Sequence, residues 1–185
     1  MKTLIFNGSP RKNGDTISLI NILTRELKGE SMVVDCCHED ISPCMDCRHC
    51  QNKEGCAIDD RMQEIYPFIE ECDNVVIASP IYFSMLTGKL LDVASRLQMY
   101  YCTRLFRGED TGIAPKRGGV ILVGGGDGEP DRAFTTAKTL LHHMNAHDIF
   151  PLVCSHDTNN RPAAEDEEAV RKVVELAAYL NETIR

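Results

Sequence analysis

Four cysteines stand within thirteen residues of this chain, in the spacing C-x2-C-x2-C-x5-C. Thiols this closely spaced in sequence are too near one another for an ordinary disulfide framework. Together they have the reach to hold one metal centre, and compact four-cysteine runs are typical of iron–sulfur ligation. The segment therefore predicts redox chemistry at a metal centre, with these candidate ligands: Cys44, Cys47, Cys50 and Cys56.

The same four thiols leave other chemistries open. They could cap the corners of a [4Fe–4S] cube, or bind a tetrahedral zinc ion, although zinc sites usually bring two separated C-x2-C pairs. They could also stay free thiols or form a disulfide. The remaining cysteines lie in or beside apolar stretches, and we interpret each as a small, buried hydrophobic residue: Cys36, Cys37, Cys72, Cys102 and Cys154.

A second motif, GSPRKNGDT at 8–16, follows a short apolar run. Small and hydroxylated residues between a strand and a helix can surround a phosphate with backbone N–H groups and hydroxyls, and the helix N-terminus adds its dipole. The motif is neither GxxxxGK[ST] nor GxGxxG, so it lacks the common fingerprints of nucleoside-triphosphate and dinucleotide sites. It predicts a phosphomonoester site, the alternative being a plain strand-to-helix turn.

Two further loops follow predicted strands. The loop at 79–88 is rich in aromatic residues and suits a flat, partly polar ring, unless it merely packs on its own helix. The glycine-rich loop at 124–129 allows close approach of backbone to a ligand, unless it is only a mobile turn. Ligands in open α/β sheets bind outside the carboxyl ends of the strands. The three loops are therefore expected to share one binding site.

The elements that must position these loops alternate along the chain. Apolar runs predict strands, and apolar residues at helical spacing predict helices between them. This alternation predicts a parallel sheet with helices on both faces. Pro67 should kink or interrupt its helix, and 102–118 is the longest irregular stretch, a candidate lid or partner contact. The predicted strands are 2–6, 31–37, 73–79, 119–123 and 149–154, and the helices are 15–28, a segment after 59, 88–101, 130–145 and 163–184.

Length and charge restrict the class of protein. A chain of 185 residues is expected to form a single domain, 1–185, with a cysteine-rich loop at about 41–58. The formal net charge of −8 argues against a general nucleic-acid surface. No apolar run reaches the length of a membrane span, and 7–11 ends the first apolar run too early for a secretion signal. We predict a cytoplasmic protein with reduced thiols, and neither nucleic acid nor membrane as a partner.

Taken together, the motifs resemble the NADPH-dependent FMN reductase family, strongly over 1–100 and by topology alone beyond. Within that family the cysteine spacing is similar to that of the iron–sulfur flavoproteins. The resemblance implies a flavodoxin-like, doubly wound, five-stranded parallel sheet of order 2-1-3-4-5. It also implies bound FMN, NAD(P)H as co-substrate, and a homodimer or homotetramer with flavin sites near subunit contacts. It rests on Gly8-Ser9-Pro10-Arg11-x-x-Gly14-x-Thr16, Pro43-Cys44-x-x-Cys47, Gly55-Cys56-x-Ile58-x-Asp60-x-Met62-Gln63 and Ser79-Pro80-Ile81-Tyr82-Phe83.

Residue by residue, the resemblance assigns three groups of cofactor contacts. Asp15 departs from the Asn common before that Thr and adds a negative charge near the phosphate, offset by Arg11 and Lys12. FMN binding is therefore expected to be weaker but to survive. The implied contacts are Ser9, Arg11, Asn13 and Thr16 at the phosphate, Pro80, Ile81, Tyr82 and Phe83 along the isoalloxazine ring, and Gly125 and Gly126 at its far side.

The implied function is an FMN-dependent oxidoreductase that passes electrons from NAD(P)H or a reduced carrier to flavin, quinone or similar small-molecule acceptors. The cysteine centre, a [4Fe–4S] cluster if assembled, would act as a one-electron relay. No side chain is assigned a catalytic role, because the cofactor carries the chemistry. The alternatives are a non-enzymatic, flavodoxin-like electron carrier that docks ferredoxin-type redox proteins, and a zinc- or thiol-based redox sensor.

Overall fold

The apolar runs of the sequence form parallel β-strands in the computed structural model, which describes residues 1–126 and 128–182. β3 and β4 are buried along almost their whole length, as expected for strands covered by helices on both faces. The six strands of these described residues are β1 (Lys2–Asn7), β2 (Glu30–Asp35), β3 (Asn74–Pro80), β4 (Lys116–Val123), β5 (Ala146–Ile149) and β6 (Val153–Ser155).

The strands are hydrogen-bonded in the order β2-β1-β3-β4-β5, with β6 also paired to β4. The predicted doubly wound α/β class is confirmed, but the strand count differs, because the strand predicted at 149–154 is divided. β5 pairs with Lys116–Gly118 of β4, and β6 pairs with Ile121–Val123 of the same strand. Pro151 lies between the two parts and has no N–H to donate to a ladder, so the chain leaves the sheet there.

Helices cover both faces of the sheet and create two cores. Alternate residues of β1 point to opposite faces: Leu4 and Phe6 belong to one core, and Ile5 to the other. The Ile5 side is covered by α1 and α7, and the opposite side by α3, α4 and α6. The helices are α1 (Asp15–Glu26), α2 (His49–Asn52), α3 (Met62–Glu71), α4 (Gly88–Ala94), α5 (Gln98–Cys102), α6 (Asp131–His143) and α7 (Glu167–Leu180).

The interruption expected at Pro67 is wrong, because α3 continues through it to Glu71. Pro67 is exposed and removes one backbone hydrogen bond. The residues on either side of it, Tyr66 and Phe68, are buried in the core, and this packing keeps the helix together.

The irregular stretch expected at 102–118 is much shorter than predicted. The helical path continues from α4 through a 3-10 turn at Ser95–Leu97, α5, and a π-helical turn at Thr103–Arg107. It ends where Gly108 adopts a left-handed conformation, with φ of 64°. In the terminal segment a 3-10 turn at Ala163–Glu165 precedes α7, and the last positions of the predicted helix, 183 and 184, lie outside the described residues. Within the described residues, every helix is too short or too polar to cross a lipid bilayer.

Candidate functional site

A cavity of about 190 Å³ opens at the carboxyl edge of the sheet, where the loops after β1, β3, β4 and β6 meet. The loops singled out at 8–16, 79–88 and 124–129 thus come together in one place. The cavity is lined by Ser9, Pro10, Arg11, Asp15, Thr16, Pro80, Ile81, Tyr82, Val123, Gly125, Thr158 and Asn159.

The loop between β1 and α1 is shaped by its own polar contacts. The side chain of Asn7 accepts the Ser9 N–H at 3.0 Å, and the Ser9 hydroxyl oxygen accepts the Arg11 N–H at 3.2 Å. Gly14 stands at the N-cap of α1 and has no side chain to cap the helix. The N–H groups of the first turn are therefore available to an anion, and the helix dipole favours one there.

Gly8 fixes this loop against the next one. Its N–H donates to the Ala78 carbonyl at 2.8 Å, and its carbonyl accepts the Thr87 hydroxyl at 2.8 Å. A Cβ at Gly8 would lie only 2.7 Å from the Thr87 Oγ1 and 2.8 Å from the Leu90 Cδ1. The loops after β1 and β3 are therefore held together by a contact that only glycine permits.

Asp15, expected to place a negative charge near a phosphate, is tied to a distant part of the chain. Its Oδ1 accepts the N–H of Ala163 at 2.8 Å, at the start of the 3-10 turn before α7. The side chain still lines the cavity. Asp15 therefore connects the first loop to the segment before α7.

The loop after β3 contains a strained turn. Tyr82 and Met85 exchange backbone hydrogen bonds at 3.0 and 2.9 Å, and the two residues between them have φ of 52° (Phe83) and 61° (Ser84). Left-handed backbone at non-glycine residues costs about 1–3 kcal/mol each and concentrates at functional sites. Tyr82 lines the cavity, half-exposed, whereas Phe83 is fully exposed.

A segment after β6 covers the glycine loop. The Thr158 N–H donates to the Gly124 carbonyl at 3.1 Å, and a Cβ at Gly125 would lie 2.9 Å from the side-chain amide of Asn159. The sequence analysis missed Thr158 and Asn159. The signal that could have found them is the polar run HDTNN at 156–160, because it follows a strand at the same edge of the sheet. Asp127, in the glycine loop, lies outside the described residues.

Most of the cofactor contacts implied by the resemblance lie on this cavity: Ser9, Arg11, Thr16, Pro80, Ile81, Tyr82 and Gly125. Asn13, Phe83 and Gly126 are exposed and do not line it.

A second, larger cavity of about 410 Å³ is formed by the cysteine loop, α5 and the π-helical turn. All four thiols of the C-x2-C-x2-C-x5-C motif line it, and so does Cys102, which the sequence analysis had treated as an inert core residue. Burial, reinforced by the neighbouring Cys102 thiol, raises the pKa of Cys50 to about 11. The rim carries three exposed apolar side chains: Met45, Tyr101 and Phe106.

Arginines close the cysteine loop from both sides. Arg96 Nη1 donates to the Asp60 carboxylate at 2.6 Å and to the Ser42 carbonyl at 2.9 Å, which joins the two ends of the loop. Arg107 Nη1 donates to the carbonyls of Cys50 and Lys53, at 3.1 and 2.7 Å, where α2 ends. Arg107 therefore links the π-helical turn to the cysteine loop.

The Asp60 carboxylate accepts hydrogen bonds from two backbone groups in addition to the Arg96 guanidinium. These are the N–H groups of Ser42 and Met62, at 2.9 and 3.0 Å. Burial alone would raise the pKa of Asp60, but the hydrogen bond from Arg96, the two backbone N–H groups and the charge of Arg96 together lower it.

The residues on either side of Cys47 have left-handed backbone. Asp46 and Arg48, on either side of Cys47, have φ of 49° and 60°. Left-handed residues of this kind turn successive N–H groups towards one side, in the nests that hold phosphates and iron–sulfur centres. By the chemistry of their donor atoms, the four thiols on this cavity fit a centre held by thiolates.

The four thiols line one cavity, but the structure does not bring them together as the ligands of one metal ion. Among the described residues, no three Cys, His, Asp or Glu side chains converge closely enough to hold one metal ion. A zinc site requires four ligands within about 2.3 Å of one atom, whereas a cube carries one thiolate at each of its corners.

Comparisons with known proteins agree on one family. The family model described as NADPH-dependent FMN reductase matches residues 1–160. A curated protein named iron–sulfur flavoprotein from Archaeoglobus fulgidus is 27% identical, over 98% of this chain and 80% of its own length. An iron–sulfur flavoprotein from Methanosarcina thermophila is 26% identical, over 97% of this chain and 93% of its own length.

Solved structures share the fold. An NAD(P)H:quinone oxidoreductase from Methanothermobacter marburgensis superposes with a TM-score of 0.74 at 14% identity, over 100% of this chain and 99% of the other. An FMN-dependent NADH-azoreductase from Bacillus anthracis, solved in complex with FMN, gives a TM-score of 0.68 at 17% identity, over 98% of this chain and 100% of the other.

Proposed function

The chain belongs to the NADPH-dependent FMN reductase family, and we propose that it passes electrons from NAD(P)H or a reduced carrier to flavin, quinone or similar small acceptors. Membership makes it an oxidoreductase with FMN as cofactor and NAD(P)H as co-substrate. The finer proposal is that the sheet-edge cavity holds the FMN and the cysteine cavity a [4Fe–4S] cluster. The observation that carries it is the meeting of the family's loop motifs around one cavity.

The phosphate of FMN would lie over the first loop. The Ser9 hydroxyl, the Arg11 guanidinium and the uncapped N–H groups of α1 are the donors available to it. The isoalloxazine ring would lie against the backbone of 80–82, with Gly125 at its far side. FMN, when bound, supplies the capacity to accept a hydride and to release electrons singly. The half-exposed Tyr82 marks the open side of the cavity, from which a co-substrate would approach.

The cysteine cavity would supply the second centre. We assign Cys44, Cys47, Cys50 and Cys56 as its ligands because they form the compact motif and line one cavity. The names of the two curated relatives support this assignment. A [4Fe–4S] cluster, when bound, adds one-electron transfer. The chain's own contribution is to hold the four thiols around the cavity, with Arg107 of the π-helical turn bound to the Cys50 and Lys53 carbonyls.

Partners and location follow from the same proposal. The apolar rim of Met45, Tyr101 and Phe106 could face a small acceptor or a ferredoxin-type redox protein. A homodimer or homotetramer would bring such a rim close to a second subunit. Reduced thiols agree with a cytoplasmic protein.

The test is steady-state oxidation of NADH and NADPH by the anaerobically purified holoprotein, with free flavin and quinones as acceptors. Turnover with a small acceptor supports the reductase. If neither nucleotide reduces the flavin and only a reduced ferredoxin-type protein does so, the electron-carrier alternative replaces it.

Asp15→Asn is expected to tighten FMN binding by about fivefold, or about 1 kcal/mol, because it removes a negative charge near the phosphate. The amide oxygen can still accept the Ala163 N–H, so the fold is retained. Titration of the apoprotein with FMN, followed by quenching of flavin fluorescence, measures the change. Unchanged or weaker binding in a variant with the wild-type melting temperature would show that Asp15 does not act on the phosphate.

Gly8→Ala is expected to weaken FMN binding by about tenfold and to destabilise the fold by about 1–3 kcal/mol. The added Cβ would overlap Thr87 and Leu90 and push apart the loops after β1 and β3. The matched control is Gly88→Ala, because a Cβ at Gly88 meets no atom within 4 Å. Equal FMN affinity in both variants and the wild type would contradict the contact's role.

A further inference from the structure

Arg96 is a buried cation beside the cysteine cavity. It lies in the 3-10 turn between α4 and α5, and its side chain is 0% exposed, against 6% for its carboxylate partner Asp60. Burying a guanidinium carries a desolvation penalty of several kcal/mol, and one carboxylate rarely offsets it in full. An apolar residue could fill the same space without that penalty, so the position of this charge requires an explanation.

The hydrogen bonds of Arg96 explain part of why its charge is buried at this position. Nη1 binds Asp60 and Ser42, and Nη2 donates to the Ile58 carbonyl at 3.3 Å. These acceptors come from the residues just before Cys44 and just after Cys56. The side chain thus fixes both ends of the thiol-bearing loop relative to each other.

The Nε donor of Arg96 is unmatched. Nε is buried and finds no hydrogen-bond acceptor among the described residues. Arg96 itself lines the cysteine cavity together with the four thiols. Arg96 therefore keeps a buried N–H donor without an acceptor, next to the cavity that the four thiols line.

We infer that Arg96 is the positioning and charge-compensating residue of the cysteine cavity: it holds the loop ends together and stabilises the negative charge of a thiolate-bound centre. This inference rests on the proposed function, because it assumes that the cavity holds an iron–sulfur centre. One-electron reduction of such a centre adds a negative charge, and nearby positive charge or hydrogen bonding to its sulfurs favours the reduced form. Arg96 therefore makes the centre easier to reduce.

The experiment compares the wild-type protein with Arg96→Gln and Arg96→Lys, all reconstituted anaerobically with iron and sulfide. Lysine keeps the charge but cannot span the three acceptors, whereas glutamine keeps some hydrogen bonding and loses the charge. The readouts are the midpoint potential of the iron–sulfur centre from redox titration, iron and FMN content, and proteolysis of 41–58. The sheet-edge cavity proposed for FMN shares no described lining residue with the cysteine cavity. The amount of bound FMN therefore reports whether each variant is folded.

The expected result is a shift of the midpoint potential to more negative values in Arg96→Gln, with FMN content unchanged. In Arg96→Lys we expect a potential near that of the wild type, together with lower iron retention and faster proteolysis of 41–58. A wild-type potential and full iron content in a folded Arg96→Gln would overturn the inference. If Arg96→Gln does not fold, Arg96→Lys decides: wild-type iron retention and proteolysis, or a negative shift of the potential, would overturn it.

Iron uptake by the wild-type protein distinguishes failure of the proposed function from failure of this inference. A wild-type protein that binds FMN but takes up no iron would remove both the cluster and this inference. A wild-type protein that assembles the centre, with variants that behave as it does, would remove the inference alone.

Discussion

Asp60→Ala is expected to lower the free energy of unfolding by about 3–5 kcal/mol, because removal of one member of a buried ion pair leaves the other charge uncompensated. The Arg96 guanidinium would remain buried beside an empty position. The backbone N–H groups of Ser42 and Met62 would also lose their acceptor. Urea denaturation followed by circular dichroism measures the change. The matched control is Asp59→Ala, an exposed neighbour of the same chemistry, which should stay within about 0.5 kcal/mol of the wild type.

The same pair predicts a dependence on pH. Asp60 has a pKa below its ordinary value of 3.8 in the folded protein, so its contribution to stability is fully present above about pH 4. The contribution is lost as the pH falls through the lowered pKa of the folded state. The stability curves of the wild type and Asp60→Ala should therefore converge in strong acid. A difference that stays constant down to the acid limit would show that the loss is one of packing rather than of the ion pair.

Cys50→Ser is expected to abolish the iron centre while FMN binding stays at the wild-type level. A neutral serine hydroxyl is a poor substitute for a thiolate ligand of iron. Cys50 lines the cysteine cavity but not the sheet-edge cavity in which we propose that FMN binds. Iron, sulfide and flavin per chain, measured after anaerobic purification, test the separation. The matched control is Cys102→Ser, which alters the same cavity outside the compact motif and should keep its iron. Full iron content in Cys50→Ser, or its loss in Cys102→Ser, would contradict the assignment of the ligands.

The fold was predictable because its signals are local. A continuous apolar run such as 73–79 identifies a strand covered on both faces, and β3 (Asn74–Pro80) is that strand. The place of the loop at 8–16 on the sheet-edge cavity was predictable for the same reason, since its residues are contiguous. The division of the fifth strand at Pro151 was in principle visible, because proline cannot continue a ladder.

The parts that could not be predicted depend on contacts between distant residues. Arg96 binds Ser42 and Asp60, which lie 54 and 36 positions away in the chain, and nothing in its sequence neighbourhood distinguishes it from a surface arginine. Cys102 is buried, as its apolar stretch predicted, but its position on the cysteine cavity depends on the fold. Thr158 and Asn159 reach the sheet-edge cavity only because β6 ends at the same edge of the sheet.

The central claim is that one chain carries both FMN and an iron–sulfur centre. The most direct measurement is anaerobic purification followed by an ultraviolet–visible spectrum and analysis of iron, sulfide and zinc. Flavin bands with a broad iron–sulfur shoulder and about four irons per chain are the predicted result. Flavin bands without iron would contradict the second centre and leave a simple FMN reductase. The absence of flavin, even after FMN is added, would contradict the account as a whole.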